Sequence, residues 1–227
     1  MVVELRVDPG VAAAYPGYRA GVIVAEGVVN GPSDAVGSAA LAAAEVRWTG
    51  LDRPADHPHI AAWRTAFSSF GAKPKRHWCS AEALMARAMS GEGIPRINRL
   101  VDRYNAVSVL HAVPVGGEDL DRVASPVRLA AARGDEPFDD EHPRPGEIVW
   151  ADALGVTCRR WNWRQCRRTR LVGGTTRAYF LFDALPEFGD DELADAMGEL
   201  EGLLAAGWPE ARLSSWVVDP GGRQLRH

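Results

Sequence analysis

The sequence predicts an α+β fold, a mixed or antiparallel sheet packed with helices, and three observations predict it. Helical periodicity is concentrated between Ser33 and Val107, and strand-like runs dominate from Pro126 to Phe182. The two do not alternate as a repeating βαβ order would require. With 227 residues, 46% hydrophobic and 25% charged, the chain is large enough for one sizeable core, as a single domain or two intimately packed lobes.

The elements follow in order. Val2 to Val7 alternates as a strand does, and Gly21 to Ala25 is a short apolar run that reads as another, with Pro9-Gly10 and Pro16-Gly17 punctuating the segment between them. Ser33-Asp34 offers an N-cap for an alanine-rich helix running towards Trp48. His57-Pro-His-Ile60 leads into a helix ending near Gly71, and Lys73-Pro-Lys-Arg76 is a short basic loop. Ser80 is the expected N-cap of the next helix. Glu82 in its first turn suits the helix dipole, Leu84, Met85, Ala88 and Met89 form its apolar stripe, and Gly91 and Gly93 end it. From Arg96 a further helix places Ile97, Leu100, Val101, Tyr104 and Val107 on one face. Pro114 and Gly116-Gly117 stop it, and Glu118 to Asp121 reads as an acidic turn.

Pro126 to Ala131, Glu147 to Trp150, Val156 to Trp161 and Arg177 to Phe182 read as strands. Asp190-Asp191 cap an amphipathic helix that turns Leu193, Met197, Leu200 and Leu204 inward, with Gly207 just past its end. Leu213 to Val218 is the last expected strand. There is no internal repeat and no low-complexity tract.

Composition narrows the function classes. The first residues lack the apolar stretch of a signal peptide, and no apolar run approaches the roughly 18 residues of a membrane span. Three cysteines without a C-x-x-C pair make a disulfide framework or zinc site unexpected, and a reducing cytoplasm fits. Asp56, His57 and His59 are weak candidates for a metal site, because a two-residue spacing around a proline cannot build one on a helix. A surface loop is expected there, with no metal and no cofactor. Gly173-Gly174-Thr175-Thr176 lacks the lysine of a phosphate loop, and no G-x-G-x-x-G or G-x-S-x-G occurs. Cys79 and Cys158 read as buried thiols, whereas Cys166, among arginines, is a candidate for a lowered pKa.

The formal net charge is −4, yet Cys158 to Arg177 holds seven arginines and no acid. Within it, CRRWNWRQCRRTR concentrates guanidinium and indole groups. Trp161 and Trp163 alternate along the expected strand, so both face one side. Two readings stand: arginines that meet a polyanion, or arginines paired with the acidic body around core tryptophans. Gly116-Gly117-Glu118-Asp119 is either a ligand loop or a plain turn. Asn105, on a helix that otherwise supplies core, is either solvated or a carboxamide pointing into a pocket.

Taken in order, CSAEAL (Cys79 to Leu84), IPRINRLVDRYNAVS (Ile94 to Ser108), VPVGGEDL (Val113 to Leu120), VRLAAARGDEPF (Val127 to Phe138), GEIVWAD (Gly146 to Asp152) and CRRWNWRQ (Cys158 to Gln165) resemble the freestanding relatives of the B3/B4 domain of the phenylalanyl-tRNA synthetase β chain. The resemblance runs from about residue 60 to 206. It implies one such domain over 1–227, with 1–55 as an extension or an integral lobe. It also implies a pocket between sheet and helices that, in the synthetase, hydrolyses tyrosine wrongly esterified to the phenylalanine tRNA.

The resemblance implies a trans-acting deacylase of aminoacylated tRNA. Asn105, Glu118 and Asp119 are the expected catalytic group, with Glu118 or Asp119 orienting water. Tyr104, Gly116, Gly117, Trp161, Asn162, Arg164, Gln165 and Asp183 are expected to hold the substrate, with the amides of Gly116 and Gly117 facing the developing oxyanion. Arg167, Arg168 and Arg170 are expected to meet tRNA phosphates. Tyr104 stands where the family has threonine, and Gly116 where it has histidine. Either Phe182 or Asp183 matches the substrate-reading glutamate. The rival expectations are a non-catalytic module that binds tRNA or an aromatic amino acid or metabolite, and an arginine ion-pair scaffold around an unrelated small-molecule pocket.

Overall fold

The computed structural model describes residues 3–219 and the backbone of 224–226. Two five-stranded sheets and six helices are present among them. The first sheet contains β1 (Leu5–Val7), β4 (Val127–Ala131), β5 (Ile148–Asp152), β6 (Gly155–Arg159) and β7 (Arg164–Gln165), in that order. Its β1–β4 pair is parallel and the others are antiparallel. The second sheet is antiparallel throughout, in the order β10 (Gln224–Arg226), β9 (Arg212–Val218), β2 (Arg19–Glu26), β8 (Arg177–Ala184) and β3 (Val115–Asp119). Val2, the first residue of the expected N-terminal strand, lies outside the described residues.

The second sheet is buried on both faces, and the alternation of its side chains separates two cores. On one face Ile23, Phe180, Phe182 and Val217 pack against α5 (Arg99–Leu110) and α6 (Asp190–Gly207). On the other, Val22, Val24, Tyr179 and Leu181 join Leu129 and Trp150 of the first sheet. Residues of α2 (Ala35–Glu45), α3 (Pro58–Ser69) and α4 (Ser80–Met89) complete that core. Strand β2, from the first 55 residues, is central in the second sheet, pairing with both β8 and β9.

Asp34 caps α2 by accepting from Gly37 N at 2.8 Å. The same carboxylate receives the fully buried Arg103 guanidinium through two hydrogen bonds, at 3.2 and 2.9 Å, tying α2 to α5.

Several elements differ from expectation. Pro9-Gly10 opens a short helix, α1 (Pro9–Ala14), because proline is favourable in a first turn. Cys79 rather than Ser80 caps α4, its Sγ accepting from Glu82 N. Helix α5 starts at Arg99 with Asn98 as N-cap, so Ile97 lies before the helix and is 58% exposed. Gly189, not the aspartate pair, caps α6. Val115 to Asp119 is a strand, not a turn.

His59 is not on a surface loop. It is fully buried on α3, its Nδ1 donating to Ala112 O at 2.9 Å while Nε2 accepts from Trp63 Nε1 and Leu185 N. Burial holds it neutral, with a pKa of about 4. Cys79, Cys158 and Cys166 are all buried. No helix among the described residues is long and apolar enough to cross a membrane.

Candidate functional site

A cavity of about 120 Å³ opens between the two sheets, closed by α5 and the start of α4. This is below the roughly 300–1,000 Å³ of sites for larger ligands, and suits a single side chain with its adjoining group. Its walls are Trp150, Trp161, Trp163 and Leu181, and polar groups stand at its two ends.

At one end lies Asp183, 3% exposed. Its carboxylate accepts from Tyr18 Oη at 2.5 Å and from Asn162 Nδ2 at 3.2 Å. Burial pushes its pKa up to about 6 against the pull of these donors. The indole N–H groups of Trp150 and Trp161 act in the same direction as those donors, but neither makes a full hydrogen bond. Ser80 Oγ and Asn162 Oδ1, also in the lining, are buried without a partner among the described residues.

At the other end lies Glu118, which accepts from Tyr179 Oη at 2.8 Å. Burial pushes this carboxyl up to about 7, with a smaller push from Asp152, while the Tyr179 hydroxyl pulls it down. Tyr179 is the cross-strand neighbour of Glu118. Tyr179 and Asp183 lie four residues apart on one face of β8, so the two carboxyl ends are separated by roughly 13 Å along the strand.

Strand register decides which candidates enter the cavity. On β3, Gly116 and Glu118 face it, whereas Gly117 and Asp119 face away. A Cβ at Gly117 would meet Leu171, Phe180 and Tyr104 at 2.9–3.0 Å, so close packing requires glycine there. Asp119 accepts from Thr175 Oγ1 at 2.7 Å, outside the lining, and is thereby excluded from the water-orienting role expected of it. Asp183 N donates to Pro114 O, which by antiparallel alternation puts the Gly116 amide in the ladder and the Gly117 backbone at the open edge. There Gly117 O accepts from Gln165 Nε2 at 3.1 Å. The expected pair of oxyanion amides is therefore not formed by these two glycines.

On β8, Asp183 faces the cavity and Phe182 the helices. Tyr104, Asn105, Trp161, Asn162, Arg164 and Gln165 all line the cavity. The Asn105 carboxamide has no hydrogen-bond partner among the described residues.

The two tryptophans do not alternate along a strand. Strand β6 ends at Arg159, and Arg160 and Trp161 adopt left-handed backbone conformations with φ of 46° and 67°. For non-glycine residues this costs on the order of 1–2 kcal/mol each. The turn buries Trp161 completely and leaves Trp163 as a partly buried wall.

Most of the arginines around this turn are paired. Arg159 bridges Glu147 and Glu141, Arg164 meets Glu141 at 2.7 Å, and Arg168 meets Asp152 at 2.7 Å. Arg167 contacts Asp139 and Asp140 at the surface. Arg170 is exposed and has no ion pair among the described residues. Sequence reasoning missed Tyr18, Tyr179 and Ser80, whose types carry no signal until the fold directs them at Asp183, Glu118 and the cavity. Among the described residues no group of three His, Cys, Asp or Glu is arranged to hold a metal ion.

The slot lies between a mixed sheet and an antiparallel sheet of an α+β fold, with a buried acid at each end. A sequence model of the B3/4 domain matches residues 62–187, more than half of the chain, and the protein belongs to that family. It is also similar to the crystal structure of an N-terminal fragment of the phenylalanyl-tRNA synthetase β-subunit from Pyrococcus horikoshii. The TM-score is 0.50 and the identity 10%, over 94% of this chain and 50% of that one. This likeness is one of fold, and the chain spans about half the length of that fragment. No curated protein matches the sequence.

Proposed function

We propose that the protein is a tRNA-binding trans-editing factor that hydrolyses mischarged aminoacyl-tRNA, with an aromatic amino acid on phenylalanine tRNA as the substrate class. The observation that carries this reading is the apolar slot with Asp183 at one end and Glu118 at the other. Asp183, with Tyr18 and Asn162 behind it, is suited to read a side-chain hydroxyl. Glu118, with a pKa of about 7, is partly ionised at neutral pH. That value suits a general base taking a proton from the attacking water, which then adds to the ester carbonyl. The C–O bond to the ribose breaks and the 3′ oxygen leaves with a proton. Asn105, free within the cavity, supplies an N–H donor to the carbonyl oxygen.

Arg170 is the arginine of the hairpin region best suited to a tRNA phosphate. Arg167 can exchange its exposed partners for one, since such surface pairs contribute only about 0–1 kcal/mol. Arg168 is committed to Asp152 and to Arg122 O.

One feature favours a second reading, a non-catalytic module for tRNA or an aromatic metabolite: Gly116 stands where the family pattern has histidine. A panel of correctly and wrongly charged tRNAs decides between them, starting with tyrosyl and meta-tyrosyl phenylalanine tRNA. Deacylation above background that falls at least about 100-fold in Glu118→Gln supports the hydrolase. Smaller losses are expected in Asn105→Ala and Asp183→Asn. No release from any ester, with uncharged tRNA still bound, supports the binding module.

A further inference from the structure

A second cavity, about 90 Å³, lies beside the first and has no part in the deacylase reading. Lys73, Arg76, His77, Arg144, Glu147 and Arg160 line it. Two backbone hydrogen bonds, Arg76 N and His77 N to Lys73 O at 2.8 and 2.9 Å, fold the basic loop over it. Unlike most of the hairpin arginines, Lys73, Arg76 and Arg144 are exposed and carry no ion pair among the described residues.

Arg160 is nine-tenths buried, and its Nη1 is enclosed without any hydrogen-bond partner among the described residues. Its Nε stands 3.7 Å from Glu147, but that carboxylate is already held by Arg159 at 2.8 and 2.9 Å. Four cations therefore surround the cavity, and its one carboxylate is shared with a fifth. Burial and the guanidinium groups of Arg159, Arg144 and Arg164 push the Arg160 pKa down, while Glu147 opposes them. A buried N–H without an acceptor, among four cations that share one carboxylate with a fifth, is a site that an anion completes.

We propose that this cavity is a phosphate-binding subsite, and that its phosphate is a phosphodiester of the nucleic-acid strand whose acyl end enters the main pocket. Trp163 connects the two. It lines the main cavity, the Arg160 guanidinium lies 4.1 Å above its ring, and the His77 ring meets it edge-on at 5.2 Å. The left-handed turn directs Arg160 to one cavity and the next side chain, Trp161, to the other. The source of the phosphate rests on the deacylase reading; the anion site itself does not.

The test uses the full chain, with uncharged tRNA and inorganic phosphate as separate probes. Arg76→Ala combined with Arg144→Ala alters only exposed, unpaired side chains, so the fold is retained. It is expected to weaken tRNA binding about tenfold or more and to reduce the salt slope by about 1, since one phosphate contact contributes roughly 0.7–0.9. Arg160→Gln should shift both quantities in the same direction, while Arg128→Ala, an exposed arginine on β4, leaves them unchanged. Amide shifts of residues 70–77 on adding inorganic phosphate, lost in the double variant, are the expected direct signature. If those shifts occur but tRNA binding ignores the double variant, the nucleic-acid source is overturned and the site serves a small phosphorylated ligand. If neither probe responds to the double variant or to Arg160→Gln, the subsite is overturned. Absent deacylation alongside intact, salt-dependent tRNA binding refutes the deacylase alone, so the two failures are distinguishable.

Discussion

The two faces of β8 belong to one strand and are both buried, yet they do different work. Towards α5 and α6 it presents Ala178, Phe180, Phe182 and Ala184, all apolar. Towards the first sheet it presents Tyr179, Leu181 and Asp183 around a cavity, with Glu118 arriving from β3. The helical face fills its space with side chains, and hydrophobic burial stabilises it. The cavity face leaves space and surrounds it with buried acids whose charged forms are disfavoured by burial. Stability is concentrated on one side of the strand and chemistry on the other, so substitutions on the two faces should have separable consequences.

The largest effect is expected from the filled face. Phe180→Ala should lower unfolding free energy by about 3–5 kcal/mol in urea titrations, because the packed helices cannot collapse into the space. Leu181→Ala, bordering the existing void, should cost about 2 kcal/mol, the low end for such truncations. Equal losses at the two positions would break the comparison.

The cavity face should reveal itself through pH. Glu118 binds its proton more tightly in the folded chain, its pKa being about 7 against an ordinary 4.5. Its contribution is therefore fully present below about pH 4.5 and is lost as pH rises through about 7. The loss is about 3 kcal/mol. Asp183, raised from 3.8 to about 6, adds a loss of the same sign at lower pH. Glu118→Gln should flatten the upper part of this profile and leave the variant more stable than the parent at pH 8. A parent protein whose urea midpoint does not change between pH 5 and 8 would contradict the buried-acid description.

The smallest effect sharpens the contrast from outside. Arg167→Ala, with its exposed partners Asp139 and Asp140, should change stability by less than about 0.5 kcal/mol. A larger loss would mean that the surface pairs of the hairpin are structural.

The helices were legible because their information is local. Asp34 before an alanine-rich run, the apolar spacing of α5, and the capped amphipathic α6 each follow from interactions within a few residues. The apolar strands β2, β8 and β9 were legible for a similar reason, through their β-branched and aromatic runs. Two glycines and two acids gave Gly116 to Asp119 the composition of a turn, and only pairing with β8 makes the segment a strand. That pairing sends Glu118 into the cavity and Asp119 out of it, a distinction of one residue that composition cannot carry.

By itself, the sequence determined that this is an α+β chain with an arginine-tryptophan segment and a set of polar candidates around Asn105, Glu118 and Asp183. The tertiary structure alone decided which of them meet. Most hairpin arginines find acids distant in sequence, as Arg159 finds Glu147 and Arg168 finds Asp152, whereas Arg170, Lys73, Arg76 and Arg144 find none among the described residues. The physical reason is that element type is set by near-neighbour sterics and hydrogen bonding, while facing, burial and charge pairing depend on which strands and loops the fold brings together.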